Sequence, residues 1–312
     1  LSKESASAHI NGDIHIHDLD FYTLTLTCCQ IDLLKLFHNG FSTGHGFLRE
    51  PNDIRSYAAL ACIVIQANQN DMHGGQAVPN FDFAMAEGVR KTYQKLFRNN
   101  IIKYIKFVDN IDLTDDIKAY FKELYSLDLD PRYHDKESTE KVFDLLKKRY
   151  PKCSFDKISN SVVADSEREV EDQTHQAMEA LIHNLNTMHS RAGAQVPFSS
   201  LNYGTDTSEE GRLAVKSILQ ATSEGLGDGE TPIFPIQIFK VKEGISYNPT
   251  DPNYDLFQLA IKCSAKRLFP NFSFLDAPFN KQYYKEGDYN TEVAYMGCRT
   301  RVMGNVYDPS KE

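Results

Sequence analysis

The sequence has no hydrophobic run long enough to cross a membrane. Its longest apolar stretches, such as Tyr57 to Ile65, are far shorter than the roughly 20 residues that a spanning helix needs. The chain also lacks the charged segment and apolar run that open a secretory signal. These absences exclude membrane and secreted proteins as classes, and we expect a cytoplasmic protein with no membrane partner.

Basic residues are too few and too scattered to predict a nucleic-acid binder. The chain has 34 lysines and arginines against 43 aspartates and glutamates, and its formal charge is −9. The composition does not exclude a small ligand, such as an anionic one bound in a local pocket. The chain also lacks a C-x-x-C pair, so we expect its six cysteines to be reduced thiols.

Linkers, internal repeats and low-complexity tracts are also absent. With 312 residues, 41% of them hydrophobic, the chain can bury a full core, and we expect one domain over residues 1–312. The chain opens at Leu1 without an initiator methionine and stops at Glu312 just after a turn-like stretch. We therefore expect it to be part of a longer protein.

Strand-like and helical patterns alternate along the chain, which predicts an α/β fold. The strand-like runs are Asp13 to His17, Tyr22 to Cys28 and Ile233 to Lys240. The charged stretch 109–165 carries short helical patterns around 113–127 and 137–150, and we expect it to form a surface helical insertion.

Two longer helices are the clearest elements in the sequence. The first is predicted from about Glu169 to His189, and the second begins at Thr207, whose hydroxyl can cap the helix while Glu210 reaches back. Apolar residues spaced to line one face support both helices: Ala177, Leu181, Ile182, Leu185 and Met188 in the first, and Val215, Ile218 and Leu219 in the second.

The first candidate site is the segment that contains Asp13, His15 and His17. On a strand, alternate side chains share a face, so the two imidazoles and the carboxylate would point the same way. A metal-dependent hydrolase uses such a pair of histidines as ligands. A polar strand end with hydrogen-bonded histidines fits the spacing equally well, and the spacing does not decide between them.

The second candidate is the vicinal pair Cys28 and Cys29, which follows an alternation of threonine and leucine. If Cys28 follows the leucines, its sulfur enters the interior and Cys29 faces away. Two small cysteines that fill the core are the alternative.

Two later segments combine glycine with polar groups. Small residues of 191–195 precede Ser199 and Ser200, and neither this turn nor the other glycine-rich turns carry a complete phosphate-loop motif. Cys298 lies between Gly297 and Arg299, where a guanidinium would favour a thiolate or bind a phosphate. An ordinary core or surface cysteine is the alternative.

Taken together, these fragments resemble the anaerobic (class III) ribonucleoside-triphosphate reductases, which are glycyl-radical enzymes. The resemblance covers nearly the whole chain and links two cysteines about 270 residues apart. In chain order it is carried by H-I-H-D-L-D at 15–20, the pair Cys28-Cys29, N-G-F at 39–41, H-G-G-Q at 73–76, G-A-Q-V-P-F at 193–198, D-P-N-Y-D at 251–255, A-K-R at 265–267 and M-G-C-R at 296–299.

The resemblance implies a fold and a chemistry. The fold is a ten-stranded α/β barrel of the glycyl-radical type, built from two half-barrels and present here only in part. Cys28 matches the cysteine that becomes a thiyl radical and abstracts the 3′-hydrogen of the ribose, and Cys298 matches the cysteine on the opposite face of the sugar. His15, His17, Ser199, Ser200 and Gly297 are then expected to line the substrate site.

The resemblance also implies a reductant, effectors and a homodimer. Members of the family use either formate or a small thiol redoxin, and Met72, beside the H-G-G motif, favours a redoxin. Helices after that motif form the dimer interface and bind a deoxynucleoside triphosphate or ATP effector. Lys95 matches a phosphate contact there, with Lys91 or Arg90 assisting, although a solvated helix face explains these residues as well.

Other parts of the family pattern are expected outside residues 1–312. These are the glycyl-radical loop, a four-cysteine zinc site, an active-site asparagine and an N-terminal ATP cone. A partner activase that uses S-adenosylmethionine and an iron–sulfur cluster makes the radical. Gly304 lies in a segment that resembles the radical loop but lacks its tyrosine and is in the wrong place, so we reject it as the radical site.

Two rival functions follow from the residues alone. A metal-dependent hydrolase would use His15 and His17 and would need further ligands at later strand ends. A non-catalytic nucleotide-sensing domain would bind deoxynucleotides while Cys28 and Cys298 lie far apart.

Overall fold

The computed structural model describes residues 1–16, 27–190, 195–297 and 300–302. The helices are α1 Lys3–Asn11, α2 Leu33–Phe37, α3 Ile54–Asp71, α4 Phe81–Asp109, α5 Thr114–Ser126, α6 Lys136–Arg149, α7 Phe155–Thr187, α8 Glu209–Glu224, α9 Tyr254–Arg267 and α10 Pro278–Lys281, with a short 3₁₀ helix at Tyr289–Thr291. The strands are β1 Thr27–Gln30, β2 Phe41–Ser42, β3 Phe47–Leu48, β4 His73–Val78, β5 Ser199–Tyr203, β6 Ile236–Val241, β7 Asn271–Phe274, β8 Ala294–Met296 and β9 Thr300–Val302.

Five strands form one parallel sheet in the order β1-β4-β5-β6-β7. Parallel neighbours need a crossover connection, and helices provide it between each pair of consecutive sheet strands. The predicted α/β class is therefore confirmed. The described residues contain this five-stranded sheet and two small antiparallel pairs rather than a closed ten-stranded barrel.

A layer of long helices covers one side of the sheet. Helices α3, α4, α7 and α8 pack against one another. The predicted stripe of α7 is buried at Ala177, Leu181, Ile182 and Leu185, whereas Met188 lies just past the helix end and is 53% exposed. Helix α7 begins at Phe155, well before the predicted start, because Ile158, Val162 and Val170 continue the buried face through a charged segment.

The charged stretch 109–165 contains the two predicted short helices, α5 and α6. Their polar faces are solvated, while Phe121 and Phe143 bury their rings next to Phe97 of α4 at centroid distances of 6.3 and 5.4 Å. The predicted helix at Thr207 begins two residues later, and Ser208 rather than Thr207 caps it by accepting the Gly211 N–H at 3.1 Å. That this stretch is an insertion stays a prediction.

The predicted strand at Asp13 to His17 is wrong for residues 13–16. Ser2 caps α1, and the helix ends at Gly12, whose left-handed φ of 82° closes it. Residues 13–16 follow this turn without joining a sheet, and His17 lies outside the described residues. The predicted strand at 233–240 is observed as β6 from Ile236, since Pro235 has no N–H to donate to a ladder. None of the described helices is long and apolar enough to span a bilayer.

Phe97→Ala tests the contribution of the aromatic cluster in the helical layer. Phe97 is fully buried, so its removal should lower the free energy of unfolding by about 3–5 kcal/mol. Phe107→Ala is the matched control on the same helix, because Phe107 is 85% exposed and should change stability by less than about 0.5 kcal/mol. Urea denaturation of both variants checks this, and equal losses would contradict the packing described.

Candidate active site

Cys28 lies at an irregularity in the pairing of β1 with β4. Thr27 pairs with His73 and Cys29 pairs with Gln76, so β1 advances two residues while β4 advances three. Cys28 has a left-handed φ of 65°, which breaks the side-chain alternation of the strand. The prediction that Cys28 points into the core is therefore wrong. Cys28 is exposed, and Cys29 is the half-buried residue that packs against the core, where burial raises the pKa of its thiol.

Gly74 and Gly75 hold the sulfur of Cys28. The Gly75 N–H donates to Cys28 Sγ at 3.3 Å. A Cβ atom at position 74 would lie 2.6 Å from the same sulfur, and Gly74 also has a φ of 87°. A residue with a side chain would therefore collide with Cys28 and strain the backbone. The H-G-G motif is explained by this close approach.

Strand β8 packs against β1, β4 and β5 of the sheet. The side chain of Asn202 on β5 donates to the Tyr295 carbonyl and accepts from the Tyr295 N–H, both at 2.8 Å. The Ser200 hydroxyl accepts from the Gly297 N–H at 3.1 Å. Two predicted site residues, Ser200 and Gly297, thus come together. Cys298 follows Gly297 and lies outside the described residues.

Gly75 borders both segments. Its N–H reaches Cys28, and a Cβ atom built on it would lie 3.4 Å from Met296 Cγ and 3.1 Å from the Phe198 ring. The vicinal cysteine pair and the M-G-C-R segment therefore meet across one glycine, although more than 260 residues separate them in sequence.

Ser199 faces the other side of the sheet from Ser200, because neighbouring strand residues alternate. Its hydroxyl is fully buried and has no hydrogen-bond partner among the described residues. Gln76, its register partner on β4, accepts a hydrogen bond from the side chain of Asn68 on α3. Ser199 therefore lies between sheet and helices, apart from Cys28.

Residues 13–16 of the histidine segment do not belong to a strand. His15 is exposed, and its ring is 5.8 Å from that of His9. The predicted strand face shared by Asp13 and His15 is wrong, since both residues follow the turn at Gly12. His17 lies outside the described residues. Within the described ranges no three His, Cys, Asp or Glu side chains form a group that could hold a metal ion.

The lysines predicted to contact effector phosphates lie on one face of α4. Lys91 Nζ donates to Glu50 at 2.6 Å, to the Pro51 carbonyl at 3.3 Å and to the Tyr57 hydroxyl at 3.1 Å. Although burial lowers it, the pKa of Lys91 is raised overall by these acceptors. Lys95 is about half exposed and lies 3.3 Å from Asp53.

Arg90 and Met72 complete the predicted set. Arg90 forms an ion pair with Glu87 one turn earlier on α4 at 3.2 Å. Met72 caps the end of α3, where its carbonyl accepts from the Gln69 side chain at 3.1 Å, and it directly precedes β4. Met72 is half-buried and lies two residues before Gly74 in the sequence.

A comparison with known protein families matches the whole chain to one family. The family model described as anaerobic ribonucleoside-triphosphate reductase covers residues 1–312. The chain belongs to this family. The resemblance inferred from the motifs is thereby confirmed.

Named relatives agree with this assignment. The anaerobic ribonucleoside-triphosphate reductase of enterobacteria phage T4 is 28% identical over 296 residues, which is 94% of this chain and 39% of that protein. The reductase of Salmonella typhimurium is 28% identical over 304 residues, 96% of this chain and 34% of that protein. The chain therefore spans between a third and two fifths of these relatives.

A solved structure shares the fold. The anaerobic ribonucleotide reductase from Thermotoga maritima, in complex with dATP and CTP, aligns with a TM-score of 0.51 and 12% identity over 91% of this chain and 40% of that one. At this identity the likeness concerns the fold alone.

Sequence reasoning missed a buried polar network at the carboxyl ends of β4, β5 and β6 in this reductase-family chain. Asp82 Oδ2 accepts from the backbone N–H groups of Gly204, Thr205 and Asp206 at 2.7 to 3.0 Å. Lys240 has no exposed surface and pairs with Glu292 at 3.2 Å. The sequence carried one signal for this network, the lysine inside the largely apolar strand I-Q-I-F-K-V of β6, because a buried lysine needs a charged or polar partner.

Two carboxyls of this network have raised pKa values. Burial, reinforced by nearby Asp82, raises the pKa of Asp206 to about 7. Burial also raises the pKa of Asp82, against the opposing effect of Lys240. The network therefore holds carboxyl groups that resist ionisation.

Gly74→Ala tests the contact between β4 and Cys28. The new methyl group would lie 2.6 Å from the sulfur, so it should displace the sulfur, break its bond with the Gly75 N–H and crowd the approach of iodoacetamide, which slows alkylation of Cys28 severalfold. Peptide-resolved mass spectrometry measures the rate. Gly44→Ala is the control, since Gly44 has a φ of 90° with no atom near its Cβ position. Both variants should lose about 1–2 kcal/mol of stability; equal Cys28 rates would argue against the contact.

Asp206→Asn tests the raised carboxyl. A folded-state pKa above the unfolded value contributes stability that is present below about pH 4 and is lost as pH rises to about 7. Between these pH values the wild type should lose up to roughly 4 kcal/mol more than the variant in urea denaturation. Asp71→Asn, an exposed change of equal charge, should follow the wild type. Parallel curves for wild type and Asp206→Asn would refute the shift.

Proposed function

We propose that the protein containing this chain reduces ribonucleoside triphosphates to 2′-deoxyribonucleoside triphosphates without oxygen, by thiyl-radical chemistry at Cys28 and Cys298. Membership of the reductase family supports the reaction class. The observation that carries the assignment of residues is the meeting at Gly75, whose N–H donates to Cys28 Sγ and whose lack of a side chain leaves room for Met296, two residues before Cys298.

Cys28 performs the first step in this proposal. A glycyl radical on a residue outside 1–312 supplies the oxidising equivalent when present. The S–H bond of Cys28 loses its hydrogen atom, and the sulfur then takes the 3′-hydrogen atom of the ribose and re-forms S–H. The exposure of Cys28 on an open sheet face fits a sulfur that must reach a substrate.

Cys298 acts on the opposite face of the sugar. Its thiol gives a proton to the departing 2′-hydroxyl, which leaves as water. The two electrons that the sugar then takes up come from the Cys298 thiolate and the small thiol redoxin, and Cys28 gives its hydrogen atom back to C3′. The Ser200 hydroxyl and the Gly297 backbone hold the strand beside position 298. They, together with His15 and His17, are our proposed substrate-site residues. Ser199 is assigned a supporting position behind the sheet, since its hydroxyl faces the helices.

The rest of the proposal concerns parts outside this chain. We propose that a second half-barrel completes a ten-stranded barrel over the face that carries Cys28 and shields the radical from water. The glycyl-radical residue, a zinc site and an N-terminal ATP cone belong to those parts. A partner activase with S-adenosylmethionine and an iron–sulfur cluster generates the radical in the cytoplasm.

Nucleotide effectors and a homodimer complete the proposal. The Thermotoga maritima structure is a complex with dATP and CTP, which supports nucleotide binding in this fold. Lys95, half exposed on α4, is our proposed phosphate contact. Lys91 is already bonded to three acceptors and would assist only after giving up one of them. No observation favours the hydrolase, for which the described residues offer no group of three ligands.

Cysteine variants of the full-length protein, activated anaerobically, test the proposal. Cys28→Ser should abolish product, because a hydroxyl does not form the required radical, and Cys298→Ser should abolish it too, because a serine hydroxyl supplies no reducing equivalents. Cys153→Ser is the control, since Cys153 lies beside α7, away from the sheet face. Deoxynucleotide formation is measured by chromatography; a reductase still active as Cys28→Ser would end the assignment.

The same assay identifies the reductant. Met72 leads us to expect product with a small thiol redoxin and no requirement for formate. Product formed only with formate would overturn this choice and leave the cysteine assignments untouched.

A further inference from the structure

A buried ion pair lies at the start of the segment that leads to Cys298. Glu292 Oε2 accepts from Lys240 Nζ at 3.2 Å and from the Thr205 hydroxyl at 2.8 Å, and Oε1 lies 3.5 Å from Lys242 Nζ. The side chains of Lys240 and Glu292 are 0% and 3% exposed. Lys240 also donates to Asn80 at 2.9 Å. Thr205 after β5 and Lys240 of β6 thus meet at one carboxylate, and Asn80 after β4 joins them through Lys240.

Three side-chain contacts then join residues 292–297 to β5 and its carboxyl end, in one antiparallel register. Glu292 contacts Thr205, Tyr295 contacts Asn202, and the Gly297 N–H contacts Ser200. The three residues from 292 to 295 match the three from 205 back to 202, and the two from 295 to 297 match the two from 202 back to 200. Every contact is made through a side chain of β5 or of the turn after it, and the Glu292 contact joins two side chains.

The two downstream contacts do not fix this register as firmly as Glu292 does. Asn202 and Ser200 bond only to backbone groups of Tyr295 and Gly297, and every residue offers such groups. A slipped strand would find equivalent partners. Glu292 differs, because a slip would leave Lys240 buried without its ion-pair partner, and an unpaired buried charge is strongly unfavourable. Asp82, the other carboxyl near Lys240, has a pKa that burial raises. Positions 291 and 293 are threonine and valine, so no neighbour can replace Glu292.

We propose that the Lys240–Glu292 pair is a positioning device that sets the register of residues 292–297 on β5 and thereby the placement of Cys298 relative to Cys28. This inference rests on the proposed function. One step along a strand is about 3.3 Å, and a misplacement of about 1 Å at reacting groups costs about 100-fold in rate. Register is also the best-supported use of buried charges in proteins.

The test compares a charge-free pair with the wild type in the full-length protein. Lys240→Met/Glu292→Gln removes both charges, preserves volume and keeps an acceptor for Thr205. A charge-free pair of similar volume should melt close to the wild type. Its kcat should fall by about 100-fold with KM little changed. Dibromobimane, which joins thiols a few ångströms apart, should link Cys28 to Cys298 in the wild type and about tenfold less in the variant.

Thr205→Val gives a milder second measurement if the charge-free pair does not fold. It keeps the ion pair and removes one hydrogen bond to Glu292, so cross-linking and kcat should fall by about three- to tenfold. Thr222→Val is the matched control, because Thr222 is a buried threonine on α8 whose hydroxyl bonds to Ile218 and Gln237. It should lower the melting temperature without changing the cross-link.

Each outcome decides the proposal. Loss of cross-linking in a charge-free variant that melts like the wild type supports it. A stable variant that cross-links and turns over like the wild type overturns it, as does a wild type whose Cys28 and Cys298 do not cross-link. A wild type that cross-links without reducing nucleotides would refute the proposed function alone, and the cross-linking of the variants would still decide the register.

Discussion

The absence of side chains at positions 74 and 75 is the constraint on which the site depends. Glycine at position 74 lets β4 pass close to the Cys28 sulfur, and glycine at position 75 leaves room for Phe198 and Met296. A methyl group at position 74 would collide with Cys28, and one at position 75 would press against the Phe198 ring. The glycines of the H-G-G motif are therefore explained by close packing at the sheet surface rather than by phosphate binding.

Polar groups at the carboxyl ends of the strands provide a second level of organisation. Asp82 accepts hydrogen bonds from the backbone N–H groups of 204–206, and the Thr205 hydroxyl in that turn donates to Glu292. The buried network is costly to form unless its members are paired, so its geometry is narrowly defined. It links the start of α4 to the start of β8 and thus to the site.

The helical layer serves a different purpose from the site. Its aromatic cluster around Phe97 and the stripe of α7 bury apolar surface among the packed helices. Exposed charges on α5 and α6 contribute little to stability, since surface ion pairs are screened by solvent. Much of the buried apolar surface is therefore concentrated in this helical layer.

The sequence by itself determined the family, the α/β class and the buried faces of the long helices, because motif order and helical periodicity are local and survive without coordinates. It also predicted Ser200 and Gly297 as site residues, and the fold brings them together. Only the tertiary structure decided that Cys28 turns outward and that Lys240 pairs with Glu292. The first depends on a mismatch between β1 and β4, and the second on strand ends that are 52 residues apart, so neither leaves a periodic signal in the chain.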